Sequence, residues 1–480
     1  MKRILLIALI LSVVVPVNAY SIYSTNADFD KDGDIDADDL AVFSSSYGDQ
    51  CANGVWEGDW TVETQADIAA LAGYAEVTGN LTIKDTTLTS LEGLECLTSI
   101  VGYLGISGND ALTSLQGLNN LTSVGGGMSI NGNDALTSLQ GLNNLTSVGG
   151  FLSIVFNNAL KSVQGLPCLT SVGENLTISY NDALTGLQGL NNLTSIGGYL
   201  FFSENPSLTS LTGLNRLTLI GKGLSFYLNP AMTSLQGLNN LTSISGYLII
   251  QNNSTLASLQ GLNSLTSVGE DVSISSNDAL TNLQGLENLT SIGKDLYISM
   301  NDVMTNLEGL SNLTSVGEKL TISYNHALTS LHGLNDWITS IGGNLTIDGN
   351  SVLTSLEGLP YLQSIGGGLV IRWNNVLNDL QGLINLTSIG GGLYINWNDS
   401  LMNLEGLNNL TSIGGDLFIQ ENDALASLDG LESLCFVEDD FIIQYNSNLC
   451  RSDAAALLNQ VTECRRSPLE SKTYLGNKDC

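Results

Sequence analysis

The sequence predicts an all-β-dominated fold: a parallel solenoid of 24-residue coils. Three observations predict it. The stretch LTSLQGLNNLTSVGG at 112–126 returns unchanged at 136–150, and self-alignment extends that period from Leu88 to Asn448. Apolar residues recur at positions 1, 4, 7, 10, 13, 17 and 19 of each coil, counted from its first residue, usually leucine. Glycine holds position 6 in all fifteen coils, from Gly93 to Gly430, and interrupts every run that could become a helix. A fixed period of this length is the mark of stacked repeats.

The elements follow in chain order. Residues 1–19 read as a secretory signal peptide: a basic start, an apolar run too short for a membrane span, and a small-residue exit at Ala19. Residues 20–50 carry DFDKDGDIDADD at 28–39. Asp28, Asp30 and Asp32 stand at loop positions 1, 3 and 5, with Gly33 at the sharp turn. Asp34 offers its carbonyl, and Asp36 and Asp39 offer carboxylates. A hard cation such as calcium takes six to eight oxygens, which this loop largely supplies. DDLAVFSSSYG then reads as a short exit helix.

Residues 51–87 form an N-terminal cap and a degenerate first coil at 64–87. The fifteen coils at 88–448 start at 88, 112, 136, 160, 184, 208, 232, 256, 280, 304, 328, 353, 377, 401 and 425, with one insertion near Trp337. Within each, L-x-I at positions 17–19 alternates as a half-buried strand does. Asparagine at position 22 recurs in every coil, from Asn109 to Asn446. Stacked at strand spacing, its amide can bond turn backbone and its own copies as a ladder. Residues 449–480 close the stack, with SDAAALLNQV at 452–461 as a cap helix started by Ser452 or Asp453.

Seven cysteines in a secreted chain point to disulfides. Cys450–Cys464, bracketing the cap helix, is the expected bridge, with Cys51–Cys96 tying down the other end. Cys96 and Cys168 lie three coils apart, too far to join.

The pattern LxIxxNxxLxSLxGLxNLxSIGG resembles the leucine-rich-repeat superfamily, most closely the receptor L-domain type of solenoid and its bacterial surface relatives, over 64–448. That resemblance implies a right-handed parallel β-solenoid. The loop and helix at 28–48 resemble one half of a dockerin, although dockerins carry two such loops.

A formal charge of −32 disfavours nucleic acid and anionic membranes as partners. No Ser–His–Asp, Cys–His or zinc spacing appears, so the chain does not read as an enzyme. Glu421, Asp416 and Asp440 form the sole candidate carboxylate group for a polysaccharide-cleaving alternative. Aromatic residues, 6% of the chain, gather at outward position 21. Trp373 and Trp397 fall on adjacent coils with Arg372 beside them; Tyr324 and Tyr445 share their column, and Tyr394 stands nearby. Such a face suits a surface glycan or protein ligand. The sequence therefore points to a non-catalytic, secreted or cell-surface recognition or adhesion protein that uses calcium, with a ligand-free spacer as the alternative. The threonine column at position 11 reads as strand chemistry rather than an ice-binding face.

Overall fold

The computed structural model describes Cys51 and residues 54–334, 337–465 and 472–480. The chain is a parallel β-solenoid. Each coil contributes a two-residue strand at positions 12–13 and a four-residue strand at 17–20, as in Ser123–Val124 and Met128–Asn131. The short strands make a 17-stranded ladder; the longer ones make a second of eighteen. Strands pair in parallel with those of the coils before and after them, and through the fifteen coils the register holds: Leu152 faces Met128 and Leu176, and Ile154 faces Ile130 and Ile178. At ~4.8 Å per step the longer ladder spans about 80 Å.

The core is the predicted set. In the coil from 112, Leu112, Leu115, Leu118, Leu121, Val124, Met128 and Ile130 are all buried. No coil can cover its own apolar face, so neighbours above and below do so, and stability is shared along the stack. The third side, positions 1–10, is two tight turns. There Leu118 N–H donates to the Leu115 carbonyl and Leu121 N–H to that of Leu118, while Leu115 N–H reaches the Gln140 carbonyl of the next coil.

Glycine at position 6, and the glycine common at position 14, have steric causes. Gly117 has φ +111°, and a Cβ there would lie 1.8 Å from the Leu91 carbonyl oxygen. Gly125, with ordinary φ, leaves room for the Val101 carbonyl instead.

Three polar ladders run beside the core. Position-22 asparagines are fully buried; Asn157 Nδ2 donates to the Ile130 and Val155 carbonyls, and Asn181 Oδ1 accepts from Asn157 N–H. Threonines at position 11 donate their hydroxyls to the preceding coil, as Thr122 does to the Thr98 carbonyl at 2.9 Å. Asparagines at position 9 do likewise, as Asn144 Nδ2 does to the Asn119 carbonyl at 2.7 Å. The recurring NLT triplets are thus two ladder donors flanking one core leucine.

Both ends are closed. Gly54–Trp56 and Trp60–Val62 extend the two ladders ahead of the degenerate coil. A helix, α1 (Gln65–Leu71), buries Ile68 and Leu71 in place of the usual turns. Asp67 accepts from the Thr64 hydroxyl and the Thr64 and Glu63 amides, which hold its carboxyl below the usual range. Cys51–Cys96 is formed as expected.

At the other end, α2 (Arg451–Arg465) starts earlier and runs longer than the expected 452–461, so Ser452 and Asp453 lie in its first turn. The expected Cys450–Cys464 bridge is not formed. Cys464 joins Cys435 and Cys450 joins Cys480. A helix rises ~1.5 Å per residue, which puts the two ends of α2 about 20 Å apart, beyond the reach of one disulfide. Cys168 is free and exposed, in keeping with its distance from Cys96. Gln460 Nε2 donates to the Leu431, Glu432 and Leu434 carbonyls. It thereby serves the end of the stack, where no further coil supplies a position-9 asparagine.

Candidate recognition site

Positions 18 and 20 of the longer strand point outward, and position 21 follows immediately. Position 21 has an unusual backbone. Thirteen non-glycine residues have positive φ, between 52° and 58°. Twelve of them hold position 21, among them Phe156, Tyr180, Tyr324, Trp373, Trp397 and Tyr445; Asp85 is the equivalent in the degenerate coil. Glycine takes the conformation at Gly108, Gly132 and Gly349. An L-residue there costs roughly 1–2 kcal/mol. Met300→Gly, at an exposed member of the column, is therefore expected to raise stability by about 0.5 kcal/mol after glycine's own entropy cost. Denaturant unfolding checks this; a loss would show that Met300 contributes contacts exceeding the strain.

Large rings held in this conformation turn along the rod. Trp373 and Trp397 stack with centroids 5.2 Å apart and planes at 19°. The Arg372 guanidinium lies 4.8 Å from the Trp373 ring centre and donates from Nε and Nη2 to Asp348 Oδ2, at 3.0 and 2.9 Å. Trp373 and Trp397 are 40% and 36% exposed. Phe156 and Tyr180 repeat the stack at 4.5 Å near the other end of the column.

The other expected ligand residues are spread out. Tyr324 stands two coils before Trp373, its ring against Gly349. Tyr445 stands two coils after Trp397, its ring against Gly476. Tyr394 lies at position 18, beside Phe418, and donates its hydroxyl to Asp416 Oδ2 at 2.9 Å. Burial and that hydrogen bond push its pKa up to about 12. Asp416 Oδ1 accepts the Asp440 amide, so both oxygens serve structure, and Glu421 sits apart at position 21. The calcium residues Asp28, Asp30, Asp32, Asp34, Asp36 and Asp39 lie outside the described residues.

Sequence reasoning missed Asp348 and Asn396, at position 20 on either side of Arg372 in the strand register. Both are buried, and each keeps a side-chain oxygen without a donor, Asp348 Oδ1 and Asn396 Oδ1. The available signal was a break in composition: position 20 is serine at Ser275, Ser299 and Ser323, then becomes Asp348, Arg372 and Asn396.

This architecture is a leucine-rich-repeat type of solenoid with an outward aromatic column and no assembled catalytic group among the described residues. Residues 363–461, which include both tryptophans, match the family model for the receptor L domain. Residues 177–304 match the BspA-type leucine-rich repeat region, in six copies. No curated protein matches the chain.

Proposed function

We propose that the protein is an extracellular, non-catalytic recognition or adhesion protein that engages a glycan or protein partner through the outward face of its solenoid. The observation carrying this reading is the Trp373–Trp397 stack. Two large rings stay partly exposed side by side on the outward face, and contiguous apolar surface of this kind marks interaction sites. The receptor L-domain and BspA-type matches support a recognition role, and three disulfides suit an oxidising compartment. No helix among the described residues is long and apolar enough to cross a membrane.

Residues 20–480 with calcium, screened on glycan and surface-protein arrays, should give a hit that Trp373→Ala/Trp397→Ala abolishes. A hit indifferent to the double substitution would place recognition elsewhere. The second reading is a ligand-free spacer, favoured by the identity of 112–126 and 136–150, since copying erases ligand-specific variation.

Asp28–Asp39 is proposed to hold one calcium ion as a local module. Calorimetric titration of the full chain should show one site that Asp30→Ala removes. Equal binding by the variant would reject the loop.

A further inference from the structure

Asp348 and Asn396 are 4% and 8% exposed, yet no protein donor reaches Asp348 Oδ1 or Asn396 Oδ1. Arg372 satisfies only the other oxygen of Asp348. Buried acceptors of this kind are ordinarily paired. These two share one strand position on the outward face, and Asn396 directly precedes Trp397. The site therefore presents aromatic rings beside acceptors that lack donors.

We infer that the ligand at this site, on the recognition reading above, is a neutral saccharide. Its hydroxyls donate to Asp348 Oδ1 and Asn396 Oδ1, while the C–H face of a pyranose ring rests on the exposed surface of Trp373 and Trp397. Aromatic faces are negative and attract polarised C–H groups. An acidic or sulfated glycan meets a chain of net charge −32, and the cation at the site, Arg372, is already held by Asp348 and Trp373. A protein partner fits less well. The two rings expose roughly 200 Å² of aromatic surface, against about 800 Å² per partner in a standard protein interface. Access to the buried oxygens requires Arg372, whose side chain is 40% exposed, to shift along the Trp373 ring.

The test is binding of residues 20–480 to arrayed neutral and anionic glycans, with a protein array in parallel. The variants are Asn396→Ser and the pair Asp348→Ser with Arg372→Ser, which install the serine this strand position carries at Ser299 and Ser323. The expected result is binding to neutral glycans only, weakened about tenfold by each variant, with melting temperatures no lower than the parent's. Preferential binding to sulfated glycans would overturn the inference, as would neutral-glycan binding that both variants retain in full. A protein ligand lost with the tryptophans, without any glycan hit, would overturn the saccharide and keep the recognition reading. No hit on either array would overturn both.

Discussion

Asn277→Ala is expected to destabilise the rod by about 3–5 kcal/mol. Asn277 is fully buried. Its Nδ2 donates to the Ile250 carbonyl at 2.9 Å, the Ser275 carbonyl at 3.1 Å and Asn301 Oδ1 at 3.4 Å. Its Oδ1 accepts from Asn253 N–H at 3.2 Å and Asn253 Nδ2 at 3.3 Å. Alanine takes the acceptor from the Asn253 amide and one donor from each of the Ile250 and Ser275 carbonyls, all inside a buried turn. Each orphaned group costs about 1–3 kcal/mol. Because coils contact only their neighbours, the damage should be local. Hydrogen exchange should quicken around residues 250–301 and stay slow near Asn109. Asp278→Ala, next in sequence but exposed, should change stability by no more than about 0.5 kcal/mol. A loss below about 1 kcal/mol at Asn277 would mean that the ladder is incidental to stability.

Gly261→Ala should cost at least about 3 kcal/mol. The residue has φ +116°, and the added Cβ would lie 1.9 Å from the Leu235 carbonyl oxygen. Both faults act together. An L side chain is strained at this φ, and the obstructing atom is backbone of the preceding coil, which moves only if its own ladder bonds break. Gly132→Ala separates the two effects. There φ is +62° and the nearest atom to the new Cβ is 3.9 Å away, so only conformational strain of about 1 kcal/mol remains. Denaturant unfolding of both variants checks the difference. Equal losses would show that the close approach at Gly261 relaxes freely.

The repeated parts of the molecule were legible because repetition averages over context. Seven apolar positions, position-6 glycine and position-22 asparagine each mean the same thing in every coil, so period alone assigned their roles. Position 21 was legible as a variable outward column but not as a left-handed one. Aromatic side chains do not announce positive φ; the clue was that Gly108, Gly132, Gly349 and Asn252 share the column. The unpartnered oxygens of Asp348 and Asn396 depend on which side chain stands one coil away, information that no single coil contains. The C-terminal disulfides failed for another reason. Cys450 and Cys464 bracket a helix in sequence, and a helix separates its own ends. Their true partners, Cys480 and Cys435, are set by how α2 and the tail fold back over the last coil.

That tail also determines what the molecule cannot become. Lys472–Thr473 pairs with Phe441–Ile442, and Asn477 supplies the final rung for Asn446, with Cys450–Cys480 holding the segment in place. Without it, Phe441–Gln444 would offer an open strand edge, an invitation to end-to-end polymerisation. A stack built from interchangeable units has no internal reason to stop at one chain's length. The tail at this end and the cap at the other supply one.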